Sequence, residues 1–384
     1  MKIESKNSKS MLYSYLLILF IVIRTINITL NEIFMLNSKQ TMLLKCTILA
    51  IFLLTDLFIF LMVNKKTKII FLVLEFAMIF LLLITTLRYR DLGLSVFLNY
   101  SWLVLAFIPI LICFLSITDV NIFFAILTKS SFLISALCTL IYFCHIRKIS
   151  TNLVFSYTLL LPYLIHLSKA IEEKNIFYII LVLFESYMMV TYASRGTLIC
   201  ILFFFLLLCI KKYKLKSFLP IGIVFILLVV LYFIFYKFNI FTHIYQYYMA
   251  KGKYFRIMDL LSSGSFFDNN GRFDIYKNYL SYIIKHPIIG NGVGANLVVG
   301  IFPHNLFIEI IFNFGIFSIL ICYYIYYLLK EYFITYFDKD TDNIFLILLS
   351  SGVFPLFFSS TYLEWMYFWV FIGFLLLIRY KQNL

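Results

Sequence analysis

Apolar runs of about 18 or more residues recur from one end of the chain to the other, broken by short basic or polar clusters. Each is long enough to cross a hydrocarbon core of ~30 Å as one helix. They lack the polar–apolar alternation that marks the strands of a membrane barrel, so the pattern predicts helices throughout. About twelve spans are predicted, near residues 11–30, 41–63, 69–87, 94–117, 122–144, 153–168, 176–193, 197–210, 218–236, 305–329, 343–360 and 363–378. The first, from Met11 to about Thr29, carries no small-residue cleavage pattern and is followed by many others. It is expected to span the membrane rather than to be a removable signal.

From Ile176 to Ile210 the sequence is almost unbroken oil, interrupted by "ASRGT". One helix of that length would reach roughly 50 Å, too long for the bilayer without steep tilt. Two helices are therefore predicted, with Ser194, Arg195 and Gly196 as the tight turn between them. The one sizeable hydrophilic stretch, residues 237–303, falls between the ninth and tenth spans. Within it "GRFDIYKNYLSYIIKHP" (Gly271–Pro287) places apolar residues at Phe273, Tyr276, Leu280, Ile283 and Ile284. That is the spacing of a short amphipathic helix stopped by Pro287. It suits either the bilayer surface or a lid over a site, with Arg272 in its first turn.

Composition agrees with the pattern. Of 384 residues, 63% are hydrophobic and 13% charged, against roughly 45–50% and ~25% in soluble domains. A soluble fold is excluded; an all-α polytopic membrane protein is expected. The net charge of +14 would suit nucleic acid, but lysines and arginines mostly flank the apolar runs. Membrane topology puts them there, so no nucleic-acid partner is expected. Lys2, Lys6 and Lys9, "NKKTK" (Asn64–Lys68), "KKYKLK" (Lys211–Lys216) and "RYKQ" (Arg379–Gln382) fall on one side of a twelve-span chain. That side is expected to be cytoplasmic, with both termini inside and the large loop outside. Arg88, Arg90, Arg147 and Lys148 then lie outside against the trend, as exceptions or as working residues. The expected organisation is one membrane domain: nine helices over residues 1–236, the loop over 237–303, and three helices over 304–384. The seven cysteines lie in or at the ends of apolar runs, so neither a disulfide framework nor a zinc site is expected.

Ionisable side chains inside apolar spans are rare and face a cavity or one another. Here they include Lys45, Asp56, Glu75, Lys129, Glu185 and Glu309, and structural pairing is the ordinary reading of each. Asn305, Glu309 and Asn313 fall at i, i+4 and i+8 on one helix face, with His304 opening the same helix after Pro303. That stripe predicts a helix facing a polar cavity. Arg195 reads either as a snorkelling anchor or as a phosphate clamp, and composition leaves both open. "GNGVG" (Gly290–Gly294) lacks the preceding strand of a nucleotide-binding loop and reads as a turn for close backbone approach. "DKDTD" (Asp338–Asp342) reads as a solvated connection.

Taken together, "ASRGT" at a helix break, "GRFDIYKNYLSYIIKHPIIGNGVG" in the large loop and "PHNLFIEIIFNFG" opening the next span resemble the O-antigen polymerase/O-antigen ligase family of bacterial envelope glycosyltransferases. The motifs cover residues 191–315. The resemblance implies a glycan on a polyprenyl pyrophosphate as substrate, presented at the outer face of the bacterial inner membrane, with membrane lipid around it. It implies transfer of that glycan to an acceptor sugar, expelling the lipid pyrophosphate with no metal and no cofactor. Carried over by position, Arg195 and Arg272 would bind the pyrophosphate and His304 would orient or deprotonate the acceptor hydroxyl. Asn305 and Glu309 would support them. His286 and Lys285 match only the general character of the loop.

A polymerase would use a second lipid-linked repeat unit as acceptor and implies a chain-length regulator as partner. A ligase would use the lipid A–core oligosaccharide. The aromatic-rich, very hydrophobic chain favours polymerase. A flippase for lipid-linked sugars is the competing class, but transporters often carry two similar halves, and no such symmetry is found here.

Overall fold

The computed structural model describes residues 2–34, 36–93, 95–145, 153–192, 194–213, 237, 239–251, 256–263, 271–335 and 343–382. The predicted ninth span, the "DKDTD" stretch, and Arg147 and Lys148 lie outside them. Among the described residues the regular elements are helices, with no strand. Among the described residues seven helices are long and apolar enough to cross a membrane, and three shorter apolar helices accompany them. The described part of this membrane protein is all-helical.

Helices α1 (Lys2–Phe34), α2 (Ser38–Met62) and α3 (Lys65–Arg88) start the bundle. The breaks between them are set locally. Asn37 and Asn64 cap α2 and α3, their side chains accepting the amides of Gln40 and Thr67 at 2.9 Å. Helix α4 (Ser95–Trp102) passes through a π-helical segment, Leu103–Phe107, into α5 (Ile108–Ser116). Pro109, near the start of α5, has no amide to donate to the Leu105 carbonyl, which explains the widened turn. Helices α6 (Val120–His145) and α7 (Leu153–Glu173) follow. The centre of the bundle is α4–α5 and α7, whose apolar stretches are 67% and 72% buried, against 17% for α3. On α3, Leu72, Val73 and Phe76 point outward, as a lipid-facing surface requires.

Residues 176–210 form two helices as predicted, α8 (Ile176–Tyr192) and α9 (Arg195–Tyr213), but Arg195 and Gly196 open α9 instead of lying in the turn before it. One predicted intramembrane carboxylate is paired here. Glu185, fully buried on α8, accepts a hydrogen bond from Ser135 of α6 at 2.6 Å and lies 2.9 Å from Nδ1 of His166 on α7. The other ring nitrogen of His166 is 2.8 Å from Ser131 of α6, and Phe132 packs on its face. Three helices are thus tied together inside the bundle.

The large loop holds α10 (Ile240–Ala250), α11 (Arg256–Ser262), α12 (Arg272–Lys285) and the single turn α13 (Asn296–Val299). The predicted tenth span is broken at Gly315 into α14 (Leu306–Phe314) and α15 (Ser318–Thr335). At 18 residues α15 reaches about 27 Å by itself, leaving α14 as a separate short helix. Helices α16 (Ile344–Gly352) and α17 (Met366–Gln382) close the chain, joined by a short 3₁₀ turn and the polar segment Phe358–Glu364.

Candidate active site

The turn before α9 is built to bring backbone groups together. Ser194 caps the helix: its carbonyl accepts the Thr197 hydroxyl at 2.7 Å and its hydroxyl accepts the Thr197 amide at 3.3 Å. Arg195 is the first residue of α9, where unpaired amides already favour an anion. At Gly196 a Cβ would overlap the Tyr157 hydroxyl and the Phe358 side chain, so only glycine allows this approach. The buried Tyr157 hydroxyl faces Ser194, Ser359 and the charge of Arg272, without closing a well-formed hydrogen bond to any of them.

Phe358 also receives Arg272. The Arg272 guanidinium donates to the Phe358 carbonyl at 2.9 Å from the first turn of α12. The "SRG" turn and Arg272, 76 positions apart in sequence, therefore meet at one residue that neither motif contains. Helix α12 is held there by its buried face. Tyr279 is fully buried, packs edge-on against Phe312 of α14 at 4.7 Å and donates to the Ile301 carbonyl at 2.7 Å. The face predicted from sequence is only partly the one used. Ile283 turns inward with Ile275 and Tyr282, but Phe273, Leu280 and Ile284 are exposed. Burial follows Tyr279 because its hydroxyl has a carbonyl to reach, which an apolar count does not register.

His304 follows the segment that Tyr279 holds. Its backbone is left-handed, with φ +50°. Its Nδ1 is buried and has no hydrogen-bond partner among the described residues. Burial, and secondarily the charge of Arg272, push its pKa below the ordinary histidine value. The imidazole is therefore neutral at pH 7 and lies within the electrostatic reach of Arg272. His286 and Lys285 sit at the far end of α12, away from Arg272.

The polar stripe on α14 departs from expectation. Asn305 is the helix cap: its side chain accepts the amides of Phe307 and Ile308 at 3.0 and 3.2 Å. Glu309 and Asn313 do not open onto a cavity but meet protein. One Glu309 oxygen accepts from Asn296 at 2.8 Å and from the Thr361 hydroxyl; Asn313 donates to the Tyr362 hydroxyl at 2.8 Å. The stripe fastens α14 to the Phe358–Glu364 segment, because buried polar groups take whatever partners the fold supplies.

The glycine turn has a clear task. The amides of Asn291 and Gly292 donate to the carbonyls of Phe312 and Asn313, at 2.7 and 3.0 Å, satisfying the end of α14. Arg88 donates to the Gly290 carbonyl at 2.7 Å, and the Tyr89 hydroxyl to Asn291 at 2.9 Å. Arg88, against the charge trend in the sequence, is thus a working residue. Sequence reasoning missed Phe358–Glu364 altogether. Its signal was the run of Ser359, Ser360, Thr361 and Glu364 between two oily stretches.

These features define a polytopic helical membrane protein in which two arginine-bearing motifs meet at one short polar segment, with a histidine in electrostatic reach of one of the arginines. The family model described as O-antigen ligase matches residues 178–323 of the chain. The matched stretch contains Arg195, Arg272 and His304 but not Phe358. No curated protein and no solved structure matches the chain.

Proposed function

We propose that the chain is a polysaccharide polymerase that joins polyprenyl-pyrophosphate-linked repeat units at the outer face of the bacterial cytoplasmic membrane. The carrying observation is the convergence of the Ser194–Gly196 turn and Arg272 on Phe358, with His304 in reach of Arg272. The acceptor hydroxyl attacks the anomeric carbon as the bond to the pyrophosphate oxygen breaks. The lipid pyrophosphate leaves with the bonding electron pair. Arg195 and Arg272 supply fixed positive charge where that negative charge develops. His304, neutral at pH 7, takes the hydroxyl proton or orients the hydroxyl. Glu309 and Asn305 act from behind, by holding α14.

The topology behind this reading has twelve spans in one membrane domain, with both termini cytoplasmic and residues 237–303 outside. Seven long apolar helices and three shorter ones among the described residues support a many-span chain. A reporter at Asn269 is expected outside and one at Lys214 inside. Reporters on the same side would overturn the topology.

Reconstituted protein given a pyrophosphate-linked oligosaccharide should yield a ladder of longer lipid-linked chains and free lipid pyrophosphate. Arg195→Ala should stop this with insertion unchanged; full activity in that variant would remove Arg195 from the site. Transfer to lipid A–core would make the chain a ligase. Unaltered substrate carried across the vesicle would make it a flippase. A chain-length regulator added to a polymerase should narrow the ladder.

A further inference from the structure

A second polar site lies behind the Phe358–Glu364 segment, outside the stretch matched to the family. A cavity of about 270 Å³ opens between α1, α2, α4 and this segment, lined by Arg24, Lys45, Glu364, Asn27, Asn31 and Trp102. Three charged side chains inside a bundle are ordinarily paired. Here the side chains of Arg24, Lys45 and Glu364 form no ion pair or hydrogen bond with any described residue. Glu364 lies within electrostatic reach of both cations, yet contacts neither. Asn31 gives its amide hydrogens to Asn27, at 2.9 and 3.0 Å, while its own carbonyl oxygen is buried without a partner.

The chemistry of this wall is specific. Carboxamides offer donors and acceptors together, which suits vicinal hydroxyl groups. Trp102, held edge-on by Phe52 at 5.5 Å, supplies a flat apolar face. Two cations against one carboxylate leave a net positive charge. The volume is below the ~300 Å³ usual for drug-sized ligands, so the cavity takes one ring rather than a chain.

We propose that this cavity binds an acidic sugar residue, its carboxylate held by Arg24 and Lys45 and its hydroxyls by Asn27, Asn31 and Glu364. The site rests on the reading of the chain as acting on lipid-linked glycans, and makes that glycan an acidic one. Glu364 sits three residues after Thr361, which holds Glu309, so the two sites share one segment and can be occupied by a single glycan.

The test measures binding alone, so it stands or falls apart from catalysis. Full-length protein in nanodiscs of neutral lipid is titrated with glucuronate and with glucose by ligand-observed NMR. Glucuronate should bind about tenfold more tightly. Arg24→Gln should abolish that preference, and Arg24→Lys should keep part of it. Equal binding of the two sugars, or an unchanged preference in Arg24→Gln, would overturn the proposal. Displacement of glucuronate by phosphatidylglycerol in the nanodisc would assign the cavity to a phospholipid headgroup instead. Failure of the unaltered protein to join glycan, with glucuronate selectivity intact, would sink the catalytic assignment and leave this site standing.

Discussion

His166 and His304 are the same residue in opposite circumstances. His166 is fully buried, both ring nitrogens are engaged, and its neighbours come from the two helices on either side of its own. His304 lies at the end of a loop, with a strained backbone, an unpartnered buried nitrogen and an arginine nearby. A group with every partner in place contributes to stability. A group held in place but left unsatisfied has capacity for a substrate. A serine–histidine–glutamate arrangement that looks catalytic on paper is therefore the structural one.

The largest effect should come from His304→Ala, which should lower glycan joining about 10²–10⁴-fold while thermal unfolding in detergent barely moves. Its pH profile adds a check. With the folded pKa below 6.5, activity should fall on the acid side through a midpoint below that value, and His304→Gln should remove that limb. Protonation is easier in the unfolded chain. The stability from this group is therefore complete above 6.5 and is lost as pH falls towards the folded pKa. His166→Ala should do the reverse, destabilising the protein by about 2–5 kcal/mol by opening a cavity between α6, α7 and α8 and leaving Glu185 with Ser135 alone. A loss within ~0.5 kcal/mol, as at an ordinary surface site, would break the contrast.

Gly196→Ala is expected to cost about 1–3 kcal/mol through overlap with Tyr157 and Phe358, and to lower activity with it. The smallest effect should be that of Tyr279→Phe, about 0.5–1.5 kcal/mol from the lost bond to the Ile301 carbonyl. Because that bond positions the segment leading to His304, kcat should fall more than KM rises. Equal kcat in Tyr279→Phe would show that the segment is held by other contacts.

The helical membrane fold was legible because bilayer thickness imposes a long, simple period on the chain, and the Ser194–Gly196 break could be read from length alone. The histidine and the arginines stood out because charge and polarity are rare in such surroundings. What remained hidden depended on distant partners. Asn305, Glu309 and Asn313 fall on one helix face, yet one caps and two clamp, and only the position of Thr361 and Tyr362 decides this. The face of α12 was likewise set by a hydroxyl finding a carbonyl. Arg24 escaped notice because it sits inside an otherwise ordinary first span.

If His304 acts as proposed, its left-handed backbone sets folding and function against each other at one codon. A side chain with a Cβ costs roughly 1–2 kcal/mol in that conformation, which glycine does not, and asparagine tolerates it better than most residues. In a library of all substitutions at position 304, screening for membrane yield should enrich glycine and asparagine. Screening for polymer at the cell surface should return histidine, so the two rankings should disagree at this position.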